Sequence, residues 1–326
     1  MEEELLDLTP AKKTFSRIGF SLTALTLIGA LLQAAVIYFL NCADLLENST
    51  WFWLGTFLPL YLVAIPCCVA MLRKLPAETP EEHALGTGNA VTFFLICCFL
   101  MYAGNLIGTM LSMLLSGGTA ENAVAGLAMD SNPLKILFVV ILAPVLEEFL
   151  FRKQLIDRTR RYGEKTAVLL SALTFGLLHQ NLFQFFYAFG LGLIFAYIYL
   201  RTGRLRYTVV YHGIINFMGS VLAPWILSLY DLEAMAAIDP NAPAEELLAL
   251  YADILPGMLI VCGYALVLVG LSIAGLVLFI IKVRRLIWKE GSAQLPHGTA
   301  ANTVYANAGM VIYMLLCLLA IILTLI

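Results

Sequence analysis

Long apolar runs separated by short polar segments make up most of the chain. A helix needs about 20 apolar residues to span a bilayer. Nine runs approach that length: 18–40, 51–72, 89–115, 133–150, 167–180, 183–200, 208–229, 255–281 and 308–326. They predict an all-α fold, a polytopic bundle of eight to nine transmembrane helices. The fifth run is the shortest, and its boundary with the sixth is the least distinct.

Positive charges lie in alternate loops. They precede the first run and follow the second, fourth, sixth and eighth, whereas the other loops are acidic or neutral. The basic residues after the fourth run are Arg152, Lys153, Arg158, Arg160, Arg161 and Lys165. By the positive-inside rule, this alternation predicts an integral protein of the cell (plasma) membrane, with its N-terminus in the cytoplasm and its C-terminus outside.

Composition supports the same class. The chain is 61% hydrophobic and 13% charged, whereas a soluble domain is about a quarter charged. We therefore expect the lipid bilayer as its surroundings. There is no phosphate-binding loop or nucleic-acid motif, so we expect no nucleic-acid partner. The Gly104-Asn-Leu-Ile-Gly108 motif favours close helix packing within the fold.

Four regions follow from this pattern. Residues 1–132 hold the first three spans, 133–229 form a core that carries most of the intramembrane polar groups, and 255–326 hold the last spans. Residues 230–254 are predicted to be an extracytoplasmic loop. Pro243 and the acidic residues after it also suggest a helix start there, but a solvated loop is the preferred interpretation.

Two adjacent carboxylates end the fourth apolar run. Glu148 and Arg152 are four residues apart, so on a helix they share a face and can form an ion pair. Glu147 points about 100° away from Glu148. Helical phase therefore assigns Glu148 to Arg152 and leaves Glu147 free for chemistry. A carboxylate at membrane depth is costly, which favours a functional role.

Matching polar groups occur in the next segments. Phe175 and His179 share a helical face, and so do His212 and Asn216. Taken singly, each group has a structural explanation, such as an interfacial histidine or a helix-end ion pair. Together, in consecutive apolar segments, they predict a single site.

The three motifs resemble those of a known family. Glu147-Glu148-x-x-x-Arg152, Phe175-x-x-x-His179 and His212-x-x-x-Asn216 are similar to the motifs of the CPBP intramembrane proteases, the CAAX-prenyl-protease-2-like or Abi family. The resemblance covers roughly residues 134–224 and has no departure at a motif position. It implies an intramembrane endopeptidase in which Glu147, His179, His212 and Asn216 are catalytic. It also implies a cavity opening toward the cytoplasm and a peptide or protein substrate at the membrane.

Two chemistries fit these residues. Glu147 could take the proton of the attacking water, His179 could position that water, and His212 with Asn216 could donate hydrogen bonds to the oxyanion. Alternatively, His179, His212 and Glu147 could bind zinc, which would acidify the water and make a metalloendopeptidase. The favoured version requires no cofactor. A non-catalytic scaffold or immunity factor and a proton-coupled transporter remain as alternatives.

One geometric condition accompanies the shared site. If the fourth span ends near residue 150, Glu147 lies close to the basic boundary, whereas His179 lies fourteen residues beyond Lys165. The two side chains would then differ in depth. The sequence therefore predicts a bend at Pro144, together with a fifth span that is tilted, broken or begun further into the membrane.

Overall fold

The computed structural model describes residues 7–230 and 243–326, which form eleven helices and no strands. The first five are α1 (Thr9–Cys42), α2 (Ser49–Leu72), α3 (Thr87–Leu115), α4 (Ala123–Met129) and α5 (136–162). Six follow: α6 (Glu164–Leu178), α7 (Leu182–Thr202), α8 (Leu205–Leu227), α9 (Ala244–Val283), α10 (Ala300–Tyr305) and α11 (Ala308–Leu323). The predicted all-α fold is confirmed.

Helices coincide with all nine predicted spans. Among the described residues, α1, α2, α3, α7, α8 and α9 are long and apolar enough to cross a membrane by themselves. The shorter α6 and α11 pack against their neighbours, α6 against α7 and α11 against α1. The protein is therefore an integral membrane protein.

Asparagine begins several of these helices. The side chains of Asn48, Asn122, Asn181 and Asn307 accept hydrogen bonds from backbone N–H groups in the first turns of α2, α4, α7 and α11. Asparagine is among the strongest N-caps because its side-chain oxygen satisfies a donor that the helix itself leaves without a partner. Asn181, which caps the start of α7, thus marks the boundary between α6 and α7.

In three helices, a π-helical stretch is followed two residues later by proline. The stretches Leu60–Ala64, Ile136–Leu142 and Met218–Leu222 precede Pro66, Pro144 and Pro224 respectively. A proline has no N–H, and its ring clashes with the carbonyl of the preceding turn. The wider π register accommodates both problems. At Pro144, where the sequence predicts a bend, the structure shows a change of helical register.

The fourth span is longer than the sequence predicted. Helix α5 continues past residue 150 to Tyr162, and Arg152 and Arg158 are buried within it rather than lying in a loop. The reason is pairing: Glu148 binds Arg152, and the Leu72 carbonyl accepts from Arg158 Nε at 2.7 Å. Buried arginine is tolerated when its donors are satisfied in this way.

This extension removes the predicted mismatch in depth. Glu147 lies fifteen residues before Tyr162, and His179 lies fifteen residues after Glu164. At about 1.5 Å per residue, both side chains lie roughly 22 Å from the basic ends of their helices. A shared site therefore does not require α6 to be tilted, broken or begun further into the membrane. That condition came from treating Arg152 as a boundary residue.

The predicted loop at 230–254 needs a second correction. Helix α9 begins at Ala244, with Pro243 as its N-cap residue and Glu245 and Glu246 in its first turn. Carboxylates near a helix N-terminus are stabilised by the helix dipole. The last eleven residues of the predicted loop are therefore helical, and 231–242 lie outside the described residues.

The glycine motif in α3 packs within the molecule, as predicted. A Cβ at Gly104 would lie 2.5 Å from the Tyr187 backbone nitrogen, and one at Gly108 would lie 2.3 Å from the Leu182 carbonyl oxygen. Such distances leave no room for any side chain at either position. The two glycines therefore allow α3 to approach the first turns of α7.

Topology can be tested with a cysteine of the natural sequence. Cys42 is exposed at the end of α1, next to the acidic residues that are predicted to lie outside. Ser292 is exposed near the basic segments. A membrane-impermeant maleimide applied to intact cells is expected to label Cys42, and to spare S292C in a variant that lacks the exposed Cys42 and Cys262. Labelling of S292C alone would reverse the orientation.

Candidate active site

A fully buried ion pair forms the base of the site. Arg152 Nε donates to Glu148 Oε2 at 2.9 Å and Arg152 Nη2 donates to Glu148 Oε1 at 3.3 Å, with neither side chain exposed. Arg152 Nη1 donates to Ser171 Oγ at 2.7 Å, and that hydroxyl donates to the Phe151 carbonyl. This two-point pairing fixes the Glu148 carboxylate. The predicted pairing of Glu148 with Arg152 is present.

His212 lies between the two glutamates. Its Nδ1 is 3.1 Å from Glu148 Oε1, and its Nε2 is 3.9 Å from Glu147 Oε2. A carboxylate can only accept, so Nδ1 carries a proton. The ring is thereby oriented with Nε2 toward Glu147, which retains 16% exposure of its side chain. Glu147 has no hydrogen-bonded side-chain partner among the described residues, and its carboxylate faces the cavity.

His179 is held by its own helix. Its Nδ1 lies 3.0 Å from the Phe175 carbonyl oxygen, which can only accept, so Nδ1 is the protonated nitrogen. The Nε2 atom of His179 is then a free acceptor. Asn181 Nδ2 donates to the His179 carbonyl at 2.7 Å and stabilises the turn that ends α6.

Asn216 is attached to the irregular backbone of α5. In the π register, the Ala143 N–H bonds the Phe138 carbonyl five residues back. The next donor in that series would be Pro144, which has no N–H, so the Val139 carbonyl lacks its helical partner. Asn216 Nδ2 donates to that carbonyl at 2.9 Å. One amide N–H of Asn216 therefore replaces the missing backbone donor, and the other remains.

Two phenylalanines enclose the imidazoles and the guanidinium. The Phe175 ring makes edge contacts with both His179 and His212, at centroid separations of 5.2 and 5.7 Å. The Phe195 ring stacks on His212 at 5.7 Å with 29° between the planes. The Arg152 guanidinium lies over both phenylalanine rings, at 4.9 and 5.8 Å. These rings keep water away from the Glu148–Arg152 pair.

All four predicted catalytic residues line one cavity of about 520 Å³, and Phe175 lines it as well. From Glu147 the lining follows one face of α5 through Ala143 and Val139 to Lys135, and continues along α4. The cavity thus extends toward the end of the bundle where the acidic loops lie.

Two segments lie across helix ends at the basic end of the bundle. The segments 73–86 and 284–299 bind across the helix ends there. Glu78 N donates to the Asp157 carbonyl at 2.6 Å, and Ala293 N donates to the Arg161 carbonyl at 2.7 Å. The expectation of a cavity open to the cytoplasm therefore conflicts with the expectation that the basic loops are cytoplasmic.

The residues do not form a metal-ligand set. In residues 7–230 and 243–326, no three His, Cys, Asp or Glu side chains lie close enough together to hold a metal ion. The predicted zinc ligands Glu147, His179 and His212 are therefore also too far apart to form such a group. The two imidazoles do present free Nε2 atoms, and His212 has the carboxylate partner on Nδ1 that metal-binding histidines often have.

The motifs did not reveal every contributor. Ser171 was detectable as a polar residue in an apolar span. Nothing in the sequence pointed to Phe195, because one aromatic residue in an apolar run looks like any other. The Val139 carbonyl could be inferred only from the π register before Pro144.

The fold and the site define a class: a polytopic membrane protein with a carboxylate–histidine cluster enclosed at membrane depth. The comparison with family models agrees with the motifs. Residues 130–218 match the family described as type II CAAX prenyl endopeptidase Rce1-like. The predicted family resemblance is confirmed, and its matched segment contains every residue of the three motifs.

Two curated relatives are similar to part of the chain. The protein YdiL of Bacillus subtilis (strain 168) is 28% identical over 167 residues, which cover 48% of this chain and 66% of YdiL. The membrane-embedded CAAX protease MroQ of Staphylococcus aureus (strain USA300) is 37% identical over 92 residues, 26% of this chain and 37% of MroQ. In both cases the match spans less than two thirds of the relative's own length. No solved structure matches the chain significantly.

Proposed function

We propose that the protein is an intramembrane endopeptidase in which Glu147 activates the attacking water. The observation that carries this proposal is the unequal environment of the two adjacent glutamates. Glu148 is bound by Arg152 and His212, whereas Glu147 faces the cavity with no hydrogen-bonded side-chain partner among the described residues. A general base must be free to reach the proton that it removes.

The proposed reaction uses the orientation of each group. Glu147 takes a proton from water as the water oxygen bonds to the scissile carbonyl carbon and the carbonyl electrons move to oxygen. His179 accepts the other water hydrogen at Nε2 and so positions the nucleophile. When the intermediate collapses, the C–N bond breaks and Glu147 returns its proton to the leaving nitrogen.

The oxyanion would be stabilised by two donors. Asn216 has one N–H left after bonding the Val139 carbonyl, and that bond holds the amide in place. His212, when protonated on both nitrogens, can donate from Nε2 while Nδ1 stays bound to Glu148. Fixed donors of this kind are a large part of catalysis in acyl transfer.

Metal removal tests this version against the zinc version. We expect the purified protein to keep its peptidase activity after dialysis against a strong chelator, because each proposed step uses protein groups alone. Zinc content should be measured on the same sample. Loss of activity that returns only when zinc is added would contradict the metal-free mechanism and assign Glu147, His179 and His212 as ligands.

A further inference from the structure

A buried lysine lies at the far end of the site cavity. Lys135 has 9% of its surface exposed and lines the cavity. Its Nζ donates to the carbonyls of Ala128 and Asp130, each at 2.7 Å. An ammonium group has three N–H donors. The third has no acceptor among the described residues.

The position of this cation is electrostatically unusual. Lys135 is the residue that precedes the first turn of α5, where the helix dipole is positive and favours anions over cations. Asp130 acts on this cation through its charge, but the two side chains form no ion pair within 4 Å among the described residues. Asp130 directs its carboxylate to Ser49, Trp53 and the Asn132 N–H, at 2.7, 2.7 and 2.8 Å. These hydrogen bonds lower the pKa of the Asp130 carboxyl, and the bond from Ser49 has the largest effect.

The walls between Lys135 and Glu147 are mainly apolar. Val139 and Ala143 line the α5 side, and Ile215 and Ala223 line the α8 side. Glu147 lies twelve positions after Lys135, at most about 18 Å along the helix. An extended peptide rises about 3.3 Å per residue, so roughly five residues span the distance.

We propose that Lys135 binds a carboxylate of the substrate, so that the cavity holds an apolar peptide segment between this cation and Glu147. The ligand chemistry is a carboxylate on an extended apolar chain, either a free C-terminus or an acidic side chain about five residues beyond the scissile bond. This inference rests on the proposed peptidase function for its choice of a peptide, but the binding it describes does not require turnover.

Binding to the inactive variant tests the proposal separately from catalysis. The E147Q protein in lipid nanodiscs is titrated calorimetrically with three probes. The first is the acetylated pentapeptide Ala-Val-Leu-Ala-Leu with a free C-terminus, the second is its C-terminal amide, and the third is an amide with Glu as the last residue. We expect the free acid to bind at least about tenfold more tightly than the first amide, as for a charge-assisted hydrogen bond. Tighter binding by the Glu-containing amide would identify a side-chain carboxylate instead.

Substitution of the lysine provides the matched comparison. K135M on the E147Q background is expected to remove the preference for a carboxylate, and K135R to retain it. Equal binding of acid and amide, a preference that survives K135M, or no binding of any probe at millimolar concentration would overturn the proposal. If K135M fails to fold, as judged by size-exclusion elution and thermal unfolding, the acid-to-amide ratios of E147Q alone and of E147Q combined with K135R decide.

Discussion

Replacement of Glu147 by glutamine is expected to abolish peptide hydrolysis while the protein stays folded and abundant. Glutamine has the size of glutamate but cannot accept the proton of water. General base catalysis contributes roughly 10²- to 10⁴-fold, so the loss of kcat should fall in or above that range. Little stability should be lost, because Glu147 has no hydrogen-bonded side-chain partner among the described residues. The measurement is the initial rate of cleavage of a peptide substrate by purified protein, with the folded amount measured in parallel.

Glu148 supplies the matched control. E148Q changes the neighbouring residue by the same single atom, but it weakens the bonds to Arg152 and His212. We expect E148Q to lower thermal stability and to leave some activity, since Glu147 remains. Equal loss of folded protein in E147Q and E148Q would contradict the division of roles between the two glutamates.

Arg152→Met is expected to be strongly destabilising. It would leave the Glu148 carboxylate buried without its two-point partner and would remove the donor to Ser171 Oγ. Removal of one partner of a buried ion pair typically costs about 3–5 kcal/mol. The expected result is a large drop in the thermal unfolding midpoint and poor recovery from membranes.

A double variant tests the cause of that loss. If the penalty comes from the unpaired carboxylate, adding E148Q to R152M should recover part of the stability that R152M alone removes. Additive losses in the double variant would show that Arg152 stabilises the fold through its contacts with Phe175 and Phe195 instead. Unfolding in detergent, followed by fluorescence of a thiol probe on the buried cysteines, gives the required comparison.

Much of this site could be predicted from helical spacing. The pairing of Glu148 with Arg152 and the shared faces of Phe175 with His179 and of His212 with Asn216 follow from the four-residue repeat of a helix. That repeat is local, so no knowledge of the fold was needed. The nine apolar runs were detectable for the same reason, since each is recognised from its own length and composition.

The depth of the site could not be predicted correctly. The rule that charged residues mark the ends of spans placed a boundary at Arg152. In the structure, contacts far away in sequence satisfy the buried arginines: Ser171 binds Arg152, and the Leu72 carbonyl binds Arg158. Such contacts depend on which helices are neighbours, and a single sequence does not specify that.

The second role of Asn216 was missed for a similar reason. Its spacing from His212 indicated a shared face, but its bond to Val139 depends on the π register before Pro144. Proline indicates a missing donor, but not which carbonyl is left without a partner. The direction of the cavity likewise follows only from the residues that line it, which the motifs alone do not identify.

Sequencing of peptide ends in membranes tests most directly the proposal that Glu147 makes this protein a peptidase. Cells producing equal amounts of the wild-type protein or of E147Q are compared by mass spectrometry of new N- and C-termini in the membrane fraction. We expect a set of new termini that appears with the wild-type protein and is absent with E147Q. The same termini in both samples, or none in either at matched expression, would contradict it.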